Sequence, residues 1–230
     1  MNAPMVYDVF ILILEMIYSL FIVVSIDYFV KNNKISRGSG RKLVHLLMGG
    51  IIPFWFLYKS AYAEIFFSIV PLIFIAIIVL ATFGKGSHKK HVSRLTWTGN
   101  IREAVKGPLF FFFMFILITV IGFKSLPGIA ALCAMVFGDG IAPFLGHMAK
   151  QHKNPGHKSL EGAFGVFIGT LLSSFILYAI FFQGISIYPY IMLIFAGVFA
   201  AIIEFFTPSS YDNLTVPLFV FILLFILQFI

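Results

Sequence analysis

The chain has 230 residues, 60% hydrophobic and 11% charged, with a mean hydropathy of +1.02. A soluble domain carries about 25% charged residues, so the composition excludes a water-soluble globular protein and leaves an integral membrane protein. The net charge of +7 would suit nucleic acid, but the cations lie in loops between apolar runs, which is the pattern of membrane orientation and excludes a nucleic-acid partner.

Apolar runs of about 17–25 residues mark spanning helices. Eight are predicted, over residues 8–30, 42–58, 62–83, 107–123, 126–146, 162–182, 187–206 and 213–230. The expected fold is therefore all-α, a polytopic integral membrane protein built as a single membrane domain over 1–230. The N-terminal stretch lacks a basic region and carries Asp8, unlike a cleaved signal peptide. No soluble domain, low-complexity tract or internal repeat is evident. The single cysteine, Cys133, sits in an apolar run, which excludes a disulfide within the chain and a cysteine-based metal site.

Fourteen of the sixteen Lys and Arg fall in the loops after the first, third and fifth runs, and only Lys59 and Lys124 fall on the other side. The positive-inside rule makes the rich side cytoplasmic and places both termini outside. His45, His88, His91, His147, His152 and His157 lie on or close to that side, as do Asp27, Glu103, Asp139, Glu161, Glu204 and Asp212. Polar chemistry gathered at one face favours a cytoplasm-facing active site over a transport path, which needs polar groups near the midplane.

The stretch Gly138-Asp139-Gly140-Ile141-Ala142-Pro143-Phe144-Leu145-Gly146 ends the fifth run, and Lys158-Ser159-Leu160-Glu161-Gly162 opens the sixth. Asp139, Ala142 and Gly146 share one helix face. Gly138, Ala142 and Gly146 also form a small-xxx-small ladder, for which close helix packing is at least as good an explanation as function; the same holds for Gly165 and Gly169. An ionised Asp139 inside a membrane helix is costly unless paired or metal-bound. Ser159 reads as an N-cap and Glu161 as a first-turn acid suited to the helix dipole. The functional reading of the same residues is that Lys158 and the free helix amides take phosphate while Glu161 reaches Mg²⁺. Together these point to a membrane enzyme that uses a nucleoside triphosphate on a lipid.

Arg41 and His45, four apart, share a face at the start of the second run. Glu204 lies inside an apolar run, and Asp212 or Asn213 is placed to cap the last helix. Glu15 has no assigned role. Gly84-Lys85-Gly86-Ser87 lacks the full phosphate-loop spacing, and the five-residue spacing of His147, His152 and His157 does not align them for zinc.

Asp139-x-x-Ala142-x-x-x-Gly146 followed by Lys158-Ser159-x-Glu161-Gly162 resembles the CTP-binding signature of the CTP-dependent lipid kinases, which include dolichol kinase, phytol kinase and the CTP-dependent diacylglycerol kinase. Phosphatidate cytidylyltransferases carry a similar signature. Arg41-Lys42-x-x-His45 is similar to the early motif of the kinases, and Asp212-Asn213-Leu214-Thr215-Val216-Pro217 resembles their C-terminal element, with Glu204 upstream. Arg102-Glu103 and Gly107-Pro108-Leu109 are also similar to kinase segments. The resemblance covers about 41–217, and the Lys-Asp and Pro-Gly-His-Gly-Gly ending of the cytidylyltransferases is absent. Gly140 stands where the kinases often have Ser or Thr, Lys150 where a second Gly is common, and His157-Lys158-Ser159 where Lys-Lys-Thr is frequent. These departures bear on nucleotide preference more than on phosphate chemistry.

The resemblance implies transfer of the γ-phosphoryl group of CTP to the hydroxyl of a membrane lipid alcohol. Asp139, Glu161, Asp212 and Glu204 would gather Mg²⁺, and Lys158, Arg41 and Lys42 would contact phosphate. Gly138, Ala142, Gly146, Ser159, Gly162 and Asn213 complete the expected nucleotide site. The proton acceptor stays open between a carboxylate and His45, with Asp139, Glu161 and His45 as the catalytic candidates. Polyprenol or dolichol, phytol-like prenols and diacylglycerol all fit as acceptors embedded in the bilayer. The alternatives are cytidylyl transfer to phosphatidate and, from another class, a small transporter or scaffold.

Overall fold

The computed structural model describes residues 3–83, 100, 105–146, 158–182, 186–208 and 211–229. The expectations for Gly84–Ser87, His88, His91, Arg102, Glu103, His147, Lys150, His152 and His157 lie outside the described residues. Every regular element among the described residues is helical. Five helices are long and apolar enough to cross a membrane: Ala3–Lys31, Ala63–Phe83, Leu126–Gly146, Leu160–Phe182 and Tyr188–Phe206. Two shorter apolar helices, Gly107–Gly122 and Asp212–Leu227, cover the fourth and last predicted spans. The polytopic all-α architecture follows from the apolar runs as expected.

The second predicted span differs. Residues 42–58 are not one helix: α2 (Arg37–Met48) gives way to a 3₁₀ turn (Gly49–Ile51) and then to the short α3 (Phe54–Leu57). Gly49-Gly50 lowers helix propensity, and Pro53 cannot supply the next backbone donor. Tyr18 then fixes the break, donating its hydroxyl to the Leu47 carbonyl at 2.7 Å. Any side chain at Gly50 would run into that phenol.

The helices gather into two compact units, Met1–Thr119 and Val120–Ile230. In the first, α1 (Ala3–Lys31) turns Asp8, Ile11, Glu15, Ser19, Ile22, Ile26 and Val30 inward, a three-four spacing along one face, and packs on α2 and on α4 (Ala63–Phe83). Its other face exposes Phe10, Ile17, Phe21 and Val24, as lipid contact requires. The two buried acids of α1 have identified partners. Asp8 accepts the backbone amides of Lys59 and Ser60 at 2.8 and 2.9 Å, and Glu15 accepts the Tyr58 hydroxyl at 2.7 Å. Glu15, without a role from sequence alone, thus ties α1 to the end of α3.

The remaining helices are α5 (Phe110–Gly122), α6 (Leu126–Gly146), α7 (Leu160–Phe182), α8 (Tyr188–Phe206) and α9 (Asp212–Leu227). In the second unit α6 is the central helix: 72% of its apolar window is buried, against 28% for α1. It packs on α7 and α9, and α8 packs on both of those helices.

Candidate active site

Asp139 owes its position to an irregularity within α6. Residues Ala134–Gly138 form a π-turn, and the Asp139 amide donates to the carbonyl of Ala134 five residues back. A π-turn adds a residue to the helix circumference and is often found at functional sites. Here it ends one residue before the acid and resets the register from which Asp139, Ala142 and Gly146 project. A second π-turn, Val105–Leu109, runs through the Gly107-Pro108-Leu109 segment of the first unit.

Helix α7 lies close against this stretch because both sides are nearly bare of side chains. A Cβ on Gly169 would meet the Phe137 carbonyl oxygen at 2.5 Å, and one on Gly165 would meet the Ala142 Cα at 3.0 Å. A Cβ on Gly138 would stand 2.7 Å from the Thr170 hydroxyl. The small residues of the nucleotide signature, Gly138, Ala142, Gly146 and Gly162, therefore sit at helix contacts, the packing reading that sequence alone left level with the functional one.

Close packing brings three acids together. Asp139 begins the α-helical part of α6, Glu204 lies in the last turn of α8, and Asp212 is the first residue of α9. One carboxylate oxygen from each lies within 4.8 Å of the others, and the residues are only 7, 6 and 6% exposed. Lys158 reaches into the same cluster. Its ammonium is 2.6 Å from Glu204 Oε1 and 3.6 Å from Asp212 Oδ2, and it donates to the Glu204 backbone carbonyl at 2.8 Å. Asp212 Oδ1 also accepts the Asn213 amide at 2.9 Å.

Like charges at such separation repel strongly at low dielectric, and the Lys158 ammonium offsets part of that repulsion. Hard carboxylate oxygens suit Mg²⁺, which binds oxygens at about 2.0–2.1 Å and keeps several waters. Two oxygens on one such ion stand at most about 4.2 Å apart. The three oxygens lie within 4.8 Å of one another, so a single ion would draw them somewhat closer together. The donor set fits the metal.

Of the four acids expected to gather metal, three form this cluster; Glu161, partly buried in the first turn of α7, is not among them. Ser159 caps α7 as its type predicts, its hydroxyl accepting the Gly162 amide at 3.0 Å. At the start of α9 the expectation needs correction. Tyr211 holds the N-cap position and offers no side-chain cap bond, while Asp212 and Asn213 are the first helical residues. The Asp212 carboxylate thus holds the Asn213 amide through Oδ1 and faces Lys158 through Oδ2.

Arg41, Lys42 and His45 lie on α2 in the first unit. The Arg41 guanidinium lies over Gly107, where a Cβ would come within 2.8 Å of Nη2, and the His45 ring packs on Phe111 with centroids 4.5 Å apart. Two segments that resembled the same family more than sixty residues apart are therefore in contact. Gly107 as the floor beneath Arg41, and Lys158 as counter-ion of Glu204, were beyond sequence reasoning, because neither pairing has a local signal.

No protein-family model matches the chain, and no solved structure matches it. Curated relatives do. A probable phytol kinase 2, chloroplastic, from Oryza sativa subsp. japonica is 32% identical over 190 residues, 77% of this chain and 62% of the relative. Phytol kinase 1, chloroplastic, from Arabidopsis thaliana is 31% identical over 163 residues, 68% of this chain and 54% of the relative. Farnesol kinase, chloroplastic, from the same plant is 30% identical over 139 residues, 58% of this chain and 45% of the relative. The matched region is thus roughly half to three fifths of the length of these relatives.

Proposed function

We propose that the chain, which is similar to the plant phytol and farnesol kinases, is a lipid-alcohol kinase. It transfers the γ-phosphoryl group of CTP to the hydroxyl of a prenol-type lipid. The observation that carries the reading is the buried trio Asp139, Glu204 and Asp212, with oxygens within 4.8 Å, in a membrane protein. Phosphoryl transfer asks for positioning and charge neutralisation more than covalent chemistry, and a carboxylate trio at helix ends supplies a rigid mount for both.

The alcohol oxygen of the lipid forms a bond to the γ-phosphorus as the bond from that phosphorus to the β–γ bridging oxygen breaks, releasing CDP. Mg²⁺ held by Asp139, Glu204 and Asp212 would neutralise charge on the phosphates. Glu161, Arg41 and Lys42 are proposed to act on the nucleotide, and the hydroxyl proton passes to a carboxylate or to His45. Arg suits phosphate through its fork of donors. The positive-inside rule favours a site facing the cytoplasm, and an apolar acceptor tail suits a kinase built of membrane helices.

The test uses purified protein in detergent with Mg²⁺, γ-labelled CTP or ATP, and phytol, farnesol, a polyprenol or diacylglycerol. Label transferred from CTP to a prenol is the expected result. Transfer from ATP alone would keep the kinase and discard CTP. No labelled lipid from either donor would overturn the reading.

A further inference from the structure

Lys158 stands in a kinase-like signature where a phosphate ligand is expected, yet its ammonium is engaged elsewhere. It meets Glu204 twice, through Oε1 at 2.6 Å and the backbone carbonyl at 2.8 Å, and Asp212 Oδ2 at 3.6 Å. The lysine and both acids have only about a tenth or less of their side chains exposed. A short contact to the carboxylate and carbonyl of one residue fixes the rotamer of that residue against the end of its helix, since a bound ammonium restrains both acceptors at once. It also sets the charge. The ammonium offsets part of the negative charge of the carboxylates it touches.

We propose that Lys158 is a positioning residue of the carboxylate trio: it holds Glu204 and Asp212 in place and tunes the affinity of the trio for a divalent cation, rather than binding nucleotide phosphate. The inference rests on the reading of Asp139, Glu204 and Asp212 as a metal site. Lys158 and a metal draw on the same Glu204 carboxylate oxygens, so removing the ammonium strengthens the pull of the cluster on a cation while loosening its geometry. A lysine devoted to phosphate would leave metal affinity alone and act on the nucleotide.

Mn²⁺ binding to the purified full chain, read by electron paramagnetic resonance without nucleotide, separates these roles when combined with the KM for nucleotide. In Lys158→Met, Mn²⁺ is expected to bind about tenfold more tightly and kcat to fall at least tenfold, with the nucleotide KM within threefold of the parent. Unchanged Mn²⁺ affinity with a nucleotide KM raised tenfold or more would overturn the inference and make Lys158 a phosphate ligand. No saturable Mn²⁺ binding in the parent chain would instead remove the metal site itself, a failure distinct from the first. Burying unpaired acids threatens folding, so Lys158→Met is compared with Lys158→Met/Glu204→Gln, which removes one charge of each sign. The double variant is expected to melt at the higher temperature; a melting temperature at or below that of the single variant would also overturn the proposal.

Discussion

Each unit buries carboxylates in an apolar helix, and the two handle them in opposite ways. In the first unit Asp8 meets two backbone amides and Glu15 meets a tyrosine hydroxyl. These partners are neutral donors, and the result is a clasp between α1 and the chain around residues 58–60. In the second unit Asp139, Glu204 and Asp212 face one another, with Lys158 between two of them. Acids met by backbone amides and a hydroxyl tie helix to loop, even with one Glu15 oxygen left without a hydrogen-bond partner, whereas acids crowded together favour binding a cation. Burial alone, almost the same in both places, does not tell them apart; the chemistry of the neighbour does.

The largest effect expected from breaking this contrast is on turnover. Asp139→Asn removes one charge from the trio and keeps its volume, and should lower kcat by about a hundred- to a thousandfold while leaving a folded protein with its melting temperature within a few degrees. The check is the labelled-lipid assay run beside a thermal melt. Full activity in this variant would take Asp139 out of the site.

A large effect on stability, by contrast, is expected at the helix contact that holds Asp139 in place. Gly169→Ala sets a methyl group 2.5 Å from the Phe137 carbonyl oxygen, and backbone cannot step aside cheaply. Overpacking of this kind costs about 1–3 kcal/mol. Because Phe137 lies two residues before Asp139, the shift should reach the trio, so activity per folded molecule falls with stability. Melting in detergent and Mn²⁺ affinity measured together check this. Loss of stability with unchanged metal affinity would show that the α6–α7 contact does not register the acids.

Much of this was legible from residue order because membrane helices announce themselves by length and hydropathy. Asp139 and Glu204 stood out because a carboxylate in such a helix demands a reason, and Asp212 through the resemblance of its segment to the kinases. Less visible was anything that depends on which helices meet. Its position alone marked Glu204 as an acid hard to place, and only the resemblance made it a metal candidate; its partner Lys158 lies 46 residues earlier, and no spacing rule joins them. The π-turn before Asp139 leaves no mark in the pattern of apolar residues, and the break in 42–58 was hidden by apolar residues on both sides of Gly49-Gly50. Asp212 was expected to be a possible cap, yet it falls one residue inside the helix, where its side chain meets both the Asn213 amide and Lys158.

The first unit offers the counterpart to Asp139→Asn. Tyr58→Phe deletes the hydroxyl that Glu15 accepts at 2.7 Å and leaves the ring in its aromatic surroundings, where it packs against Phe67. Leaving a buried acid short of its donor costs about 1–3 kcal/mol, so the melting temperature should drop while turnover per folded molecule stays the same. Lost turnover in a variant that melts normally would join the Glu15 clasp to the chemistry and erase the distinction between the two kinds of buried acid.

The smallest effect is expected at Ser159, where the structural and functional readings of one residue compete. Its hydroxyl accepts the Gly162 amide at 3.0 Å, which occupies one of the donors a helix start leaves without a helical partner. Ser159→Ala should therefore cost about 1 kcal/mol of stability, the usual worth of an N-cap. It should also fray the first turn of α7, where Lys158 and Glu161 flank it. If capping is its whole contribution, Ser159→Asp, which caps equally well and adds a charge beside Lys158, restores the melting temperature. A nucleotide that binds much more weakly to Ser159→Ala than the stability loss explains would instead return the hydroxyl to the nucleotide site, and the start of α7 would then serve ligand and fold with the same atom.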